Sequence, residues 1–431
     1  MHRFVAKRAG STRWAAAILG AGLLLVSCGS SQSDSGSPTP VSNDHPGASS
    51  GGPGSSPPGS SGGVATSDSD ASLGDDGGGS GVSPGDSGGS DASSDGSIGD
   101  AATGGGDAAV DASVGGDCQV GDITPCSSFT TPIGTTIQLG PYGAQMDVNV
   151  GAGFANQIQS GDMAGSTTCQ GFVNLFNQDP NLSAKLLQTS VNGITIDFSL
   201  YSVYRPAVWP AGPVPVITWG NGTCAQPEGY GALLRYVASY GYFVIAANSR
   251  WVSSGTPAPM INALNYAASA NMDSSSPYYQ KLDMTKVGAM GHSQGGQATQ
   301  SAANSDSRIL YAIDFNAEDS NISKPYLAFS GDQDITLFTA QSMASAIDAA
   351  TVPAAYLYYY HPIGTGPDGG GNIDGHLVLM LTPERVTEPT KDWWEMWFRA
   401  DAASHAMFVG SSCGLCTDPG DYAYGANSLL K

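Results

Sequence analysis

The stretch Val287-Gly288-Ala289-Met290-Gly291-His292-Ser293-Gln294-Gly295-Gly296-Gln297-Ala298 reads as a short apolar strand, a turn and a helix. Its centre, Gly291-His292-Ser293-Gln294-Gly295, fits the pattern G-x-S-x-G. A serine at that place sits on a tight, strained bend, and the flanking glycines let the backbone close up without Cβ clashes. The bend presents the hydroxyl at the carboxyl edge of a sheet and at a helix N-terminus, where it can attack a carbonyl. Lys286–Met290 supplies the strand and Gly296–Ala303 a helix of small residues. Five residues of this kind are common in a Gly- and Ser-rich chain; the strand-turn-helix setting separates this one from a plain turn.

The surrounding sequence has a βα rhythm. Val214–Trp219, Tyr242–Ala247, Ile309–Phe315, Tyr326–Phe329 and Ala354–Tyr360 are short apolar runs that read as buried strands. Gly231–Ser239, Met260–Ala270, Ser276–Lys281, Thr336–Ala349 and Lys391–Phe408 read as helices between or after them. Such repetition predicts an α/β fold whose central sheet is mostly parallel, with helices on both faces. Upstream, Thr135–Leu139 and Ala144–Val150 suit short strands and Asn192–Tyr204 a strand or hairpin arm, added antiparallel at one edge, and Arg205–Pro215, with four prolines, suits a surface connection.

A serine nucleophile needs a base. Beyond residue 117 there are four histidines: His292, His361, His376 and His405. His292 adjoins the serine and is expected to point away from the site, and His405 falls on the terminal helix. His376, in Asp374-Gly375-His376-Leu377-Val378 after a Gly-rich loop, is preferred to His361, which ends a strand beside Pro362. The base needs a carboxylate to orient it. The strand Tyr326–Phe329 runs into Gly331-Asp332-Gln333-Asp334, making Asp334 the choice and Asp332 the runner-up. The resulting order is Ser293, Asp334, His376. Two N–H donors for an oxyanion are expected at Gln294, directly after the serine, and at Asn221 in Gly220-Asn221-Gly222-Thr223-Cys224.

These residues carry a resemblance. Val214 to Val409 resembles the cutinase and polyester (PET) hydrolase branch of the α/β-hydrolase superfamily, which also includes proteins described as dienelactone-hydrolase-like. The matching pieces are the Gly220-Asn221-Gly222 loop, Tyr236–Ile245, the Gly291–Gly295 turn, Asp334-Ile335 and the aromatic terminal helix. The resemblance implies the α/β-hydrolase fold and a cofactor-free serine esterase working through an acyl-enzyme. The chain departs from the family where Gln294 stands in place of the usual Met, and where Asn316-Ala317-Glu318 replaces a segment that often carries Trp. Glu318 and Asp319 make that region less welcoming to a flat aromatic polymer, while Trp219 and Trp251 read as ordinary packing. Asp368, Asn372 and Asp374 read as a solvated loop in preference to a Ca²⁺ site, since Ca²⁺ needs six or more oxygens.

The first part of the chain is of another kind. Residues 1–27 have a basic start and an apolar run, Trp14–Val26, too short to span a bilayer comfortably. Their end, Leu25-Val26-Ser27-Cys28, resembles the lipobox of bacterial lipoproteins, which implies lipidation at Cys28 and, with Gly29 following, an outer-membrane address. Residues 29–117 hold 13 Asp and no Lys, Arg or Glu. They have too little apolar surface to fold, so 28–117 reads as an acidic tether and 118–431 as the catalytic domain.

The formal net charge is −21, of which the first 27 residues contribute +4 and residues 29–117 contribute −13, leaving −12 for 118–431. An acidic domain argues against nucleic acid and against an anionic membrane surface, so contact with a membrane is expected only through the lipid. Apart from Cys28 there are six cysteines, an even number that suits disulfides in an exported chain. Cys118–Cys126, Cys169–Cys224 and Cys413–Cys416 form one of 15 possible pairings. Cys413-Gly-Leu-Cys416 also has the spacing of half a zinc site, without a second pair. No metal or cofactor is called for, and a monomer is expected. The expected function is extracellular carboxylic-ester hydrolysis of a polymer, a lipid or a smaller ester. The rival functions are a lipase, acetylxylan esterase or peptidase on the same three residues, and a surface-binding module without catalysis.

Overall fold

Alternating apolar strands and helices leave one stable solution, a sheet buried on both faces, and a computed structural model of the chain has that architecture. The structure describes residues 115–131, 134–151, 190–249, 256–317, 321–332, 334, 338–360, 375–417 and 421–431. The expected signal segment, Cys28 and nearly all of the tether lie outside the described residues, as do His361, Cys169, Trp251, Glu318, Asp319 and residues 364–374. The described residues all fall within one compact unit.

Strands follow in chain order as β1 (Asp117–Cys118), β2 (Ser128–Thr130), β3 (Thr136–Gln138), β4 (Ala144–Val150), β5 (Ser190–Val191), β6 (Ile194–Thr195) and β7 (Tyr201–Pro206). Then come β8 (Val214–Gly220), β9 (Phe243–Ala247), β10 (Leu282–His292), β11 (Ile309–Phe315), β12 (Tyr326–Gly331), β13 (Ala354–Tyr359) and β14 (Tyr422–Ala426). The helices are α1 (Gly231–Ser239), α2 (Ala258–Met272), α3 (Gln294–Ser305), α4 (Ala340–Ala349), α5 (Val378–Leu381), α6 (Glu384–Arg399) and α7 (Ala402–Phe408).

The main sheet has nine strands in the order β14-β13-β12-β11-β10-β8-β9-β7-β4. From β13 to β9 all neighbours are parallel. β7 and β4 extend one edge antiparallel, and β14 closes the other. Because side chains alternate across a strand, each strand feeds two cores. Ile217, Val244, Met290, Ile313, Leu327 and Leu357 pack with α1, α5, α6 and α7 on one face. Val216, Ile245, Ala289, Ala312, Ala328 and Ala354 pack with α2, α3 and α4 on the other.

Several expectations need correction. Ser276–Lys281 is a series of turns, not a helix: it is too short to repay helix nucleation and its backbone bonds close locally, as in Ser276 N to Asp273 O at 2.9 Å. Asn192–Tyr204, read as a strand or hairpin arm, holds the second arm of the small β5–β6 hairpin and then most of β7, which continues through Arg205 and Pro206. The terminal helix breaks in two at Ala400, which adopts a left-handed φ of 53°. Asp401 caps the second piece by accepting from Ser404 N.

The N-terminal segment is held by a buried ion pair. Cys118 and Cys126 form a disulfide, and Phe129 and Ile137 pack against Ala232 and Tyr236 of α1. Arg235, fully buried on α1, pairs with Glu228 at 3.0 Å and donates to the carbonyl of Asp122. Its guanidinium lies against the rings of Phe129 and Tyr204. Glu228 also accepts from Gly121 N and the Tyr204 hydroxyl, both at 2.7 Å. The pairing Cys413–Cys416 is also present, and Cys224 is disulfide-bonded.

Breaking this pair should be costly because it strands a carboxylate in the core. Arg235→Ala is expected to lower stability by about 3–5 kcal/mol in urea unfolding. Glu228→Gln/Arg235→Met, in which the amide oxygen still accepts from Gly121 N and the amide nitrogen donates to the Tyr204 hydroxyl, is expected to recover most of that loss.

Candidate active site

The carboxyl ends of the parallel strands converge on one edge, and the turns that leave them carry the polar residues. Ser293 lies between β10 and α3 with φ 56° and ψ −123°. A non-glycine residue held there is strained by roughly 1–3 kcal/mol. Its amide donates to Phe315 O at 2.8 Å, and its carbonyl accepts from Gly296 N and Gln297 N. Close packing enforces the bend. A Cβ on Gly291 would lie 2.3 Å from Gly295 O, and one on Gly295 would lie 2.1 Å from Gly220 O. Only glycine permits that approach.

Asp334 follows β12, and its carboxylate is fully enclosed. His376 Nδ1 lies 2.8 Å from Asp334 Oδ1, so the imidazole N–H donates to it. Asp334 Oδ2 accepts from Asn316 Nδ2 and from Ser330 Oγ at 3.0 Å. Three donors on one carboxylate favour its anionic form. Asn316 also donates to Gly375 O at 3.0 Å, so it ties the Asp334 turn to the backbone before His376. Asp332, the alternative acid, is used elsewhere: Tyr358 OH donates to it at 3.0 Å.

Asn221 follows β8 and is almost fully buried. Its side chain braces the loop, accepting from Trp219 Nε1 at 2.9 Å and donating to Ala247 O and Ser249 O. Gly222 N donates to the Tyr230 hydroxyl at 2.9 Å. Gln294 is the first residue of α3. A first-turn N–H has no partner within its own helix.

Asp334 and His376 are therefore brought together by a hydrogen bond, and Ser293 and His376 are linked through His292. Ser293 Oγ makes no hydrogen bond to the imidazole in this arrangement. His292 does not point away from the site, as its place beside the serine suggested. Its ring is buried, 4.6 Å from the His376 ring between centroids, and its Nε2 lies 2.7 Å from His376 O. Asn316 was visible in the sequence only as a departure from an aromatic residue; nothing marked it as a partner of Asp334. Trp219, 1% exposed, is packing. Among the described residues no group of three or more His, Cys, Asp or Glu is placed to hold a metal ion.

A mostly parallel sheet with helices on both faces and a strained serine turn between β10 and α3 are features shared with α/β hydrolases. Residues 212–350 match the model of a family described as PETase, PET hydrolase-like. That stretch holds Ser293 and Asp334 and ends before His376. The match covers about a third of the chain and supports an ester-hydrolase reading of that stretch. No curated protein matches the chain.

One further buried acid lies behind the turn. Asp314, on β11 in register with Gly291, is almost wholly buried, and accepts from Gln300 Nε2 at 3.2 Å. Burial pushes its pKa up to about 7, with the Gln300 contact acting the other way. A carboxyl whose folded pKa is raised contributes stability that is complete below about pH 4 and is lost as pH rises through about 7. The thermal midpoint of Asp314→Asn, followed by circular dichroism, should therefore fall less than that of wild type between about pH 5 and about pH 8.

Proposed function

We propose that the chain is an exported serine carboxylic-ester hydrolase. The observation that carries this reading is the Asp334–His376 hydrogen bond beside the strained Ser293 turn. Ser293 Oγ attacks the ester carbonyl while His376 Nε2 takes its proton. Asp334 holds the imidazole in the tautomer whose Nδ1 carries hydrogen, and stabilises the imidazolium. The backbone N–H groups of Asn221 and Gln294 receive the negative oxygen of the tetrahedral intermediate. His376 then protonates the leaving alcohol. Water, deprotonated by the same imidazole, attacks the acyl carbonyl, and the acid leaves as the imidazolium returns that proton to Ser293 Oγ.

The protein side is complete without a cofactor. Lipid at Cys28 and an extended acidic 28–117 segment would hold the 118–431 domain away from the outer face of the cell envelope, as a monomer acting on an external ester. Asn316 weighs against a flat aromatic polymer as the preferred substrate. Its side chain is engaged with Asp334 and Gly375, so it offers no aromatic surface to stack on.

With a short p-nitrophenyl ester, Ser293→Ala is expected to lose at least about 10⁴-fold in kcat. It should also lose labelling by a fluorophosphonate. Wild-type turnover by Ser293→Ala would rule this mechanism out. Asn316→Leu removes a donor to Asp334 and is expected to lower kcat by roughly ten- to 10²-fold, with a much smaller change in KM.

A further inference from the structure

His292 precedes the proposed nucleophile, and no step above uses it. It is 2% exposed and joined to both sides of the site. On one side, Gly222 N donates to the Tyr230 hydroxyl, which leaves that hydroxyl's hydrogen for His292 Nδ1, 3.0 Å away. On the other side, Nε2 lies 2.7 Å from the carbonyl oxygen of His376. A carbonyl can only accept, so Nε2 carries the proton and Nδ1 is the acceptor. Burial, and after it the neighbouring His376, push the His292 pKa well below the usual range. The ring is therefore neutral, in a single tautomer set by its two partners.

The line through Tyr230 and His292 ends on two elements that the proposed chemistry needs at a fixed separation. Gly222 follows Asn221 in the loop after β8, and His376 is the proposed base. His376 is held by its ring through Asp334, and the preceding residue by its carbonyl through Asn316. His292 adds a hold on the backbone of His376 itself.

We propose that His292 is a positioning residue for the hydrolysis. As a neutral Nε2–H tautomer, it fixes the backbone of the base relative to the Asn221–Gly222 loop through the line Gly222–Tyr230–His292–His376. This rests on the assignment of Ser293, Asp334 and His376 made above.

Replacements separate the two ends of the line. The amide nitrogen of a glutamine reaches the place of Nε2 and can still donate to His376 O, whereas that of an asparagine reaches only the place of Nδ1. The test uses the full chain, a short p-nitrophenyl ester for kcat and KM, the rate of fluorophosphonate labelling, and thermal unfolding. His292→Leu is expected to lower kcat at least about tenfold with KM within about twofold of wild type. His292→Gln is expected to stay within about threefold of wild type in kcat and labelling rate, with His292→Asn at least about fivefold below it. Tyr230→Phe should fall between His292→Gln and His292→Leu.

A folded His292→Leu with wild-type kcat would overturn the proposal. So would equal kcat for His292→Gln and His292→Asn, a comparison that decides the matter even if His292→Leu does not fold. Fluorophosphonate labelling that is absent from wild type, or kept by Ser293→Ala, would instead sink the parent assignment. Labelling confined to Ser293 together with indifferent His292 variants would sink this proposal alone.

Discussion

The site depends on a backbone conformation that serine does not favour. Ser293 is held at φ 56° because the strand before it, the helix after it and the β8 loop meet with no room for a side chain at Gly291 or Gly295. The strain is local, but what maintains it is not. β10 is paired on both sides from Val287 to Gly291, the part that leads into the turn, and α3 buries Ala298 and Ala302 against the sheet. Two cores thus stabilise one unfavourable residue, the condition under which strain persists in a native fold.

A second constraint is that a buried carboxylate must have its oxygens satisfied. Asp334 meets it with donors from three separate places: Ser330 on β12, Asn316 after β11 and His376 before α5. Each donor orients the acid, and in doing so the acid fixes the elements that carry them. Glu228 plays the same part at a distance from the site, gathering Arg235, Tyr204 and Gly121 around one buried charge. In both places polar satisfaction, not apolar contact, decides which segments are held together.

The fold was legible where physics is local. Runs such as Tyr242–Ala247 and Tyr326–Phe329 are apolar on both faces, as a covered parallel strand requires, and the Gly291–Gly295 spacing states the turn. Ser276–Lys281 was misread because six residues carry too little periodicity to distinguish a helix from successive turns. The break at Ala400 was invisible because alanine favours helix, and the left-handed conformation there comes from its context, with Asp401 capping the next helix. The pairing of Asp334 with His376 could be anticipated from chain order. His292 and Asn316 could not, because their partners lie 84 and 59 residues away and include backbone atoms. A carbonyl acceptor leaves no trace in the residue type that bears it.

The strand Tyr422–Ala426 has a consequence beyond completing the sheet. It covers β13, whose six residues are all buried and all apolar, and the loop that follows β14 is anchored by Asn427 to Ala350, Val352 and Ala354. Before that strand docks, Ala354–Tyr359 presents a row of unpaired amides and carbonyls flanked by tyrosines, a template for another chain to join. Its cover comes from more than sixty residues further along, so docking is a late, non-local event in folding. This edge is therefore the place where self-association of partly folded molecules competes with completion of the native sheet.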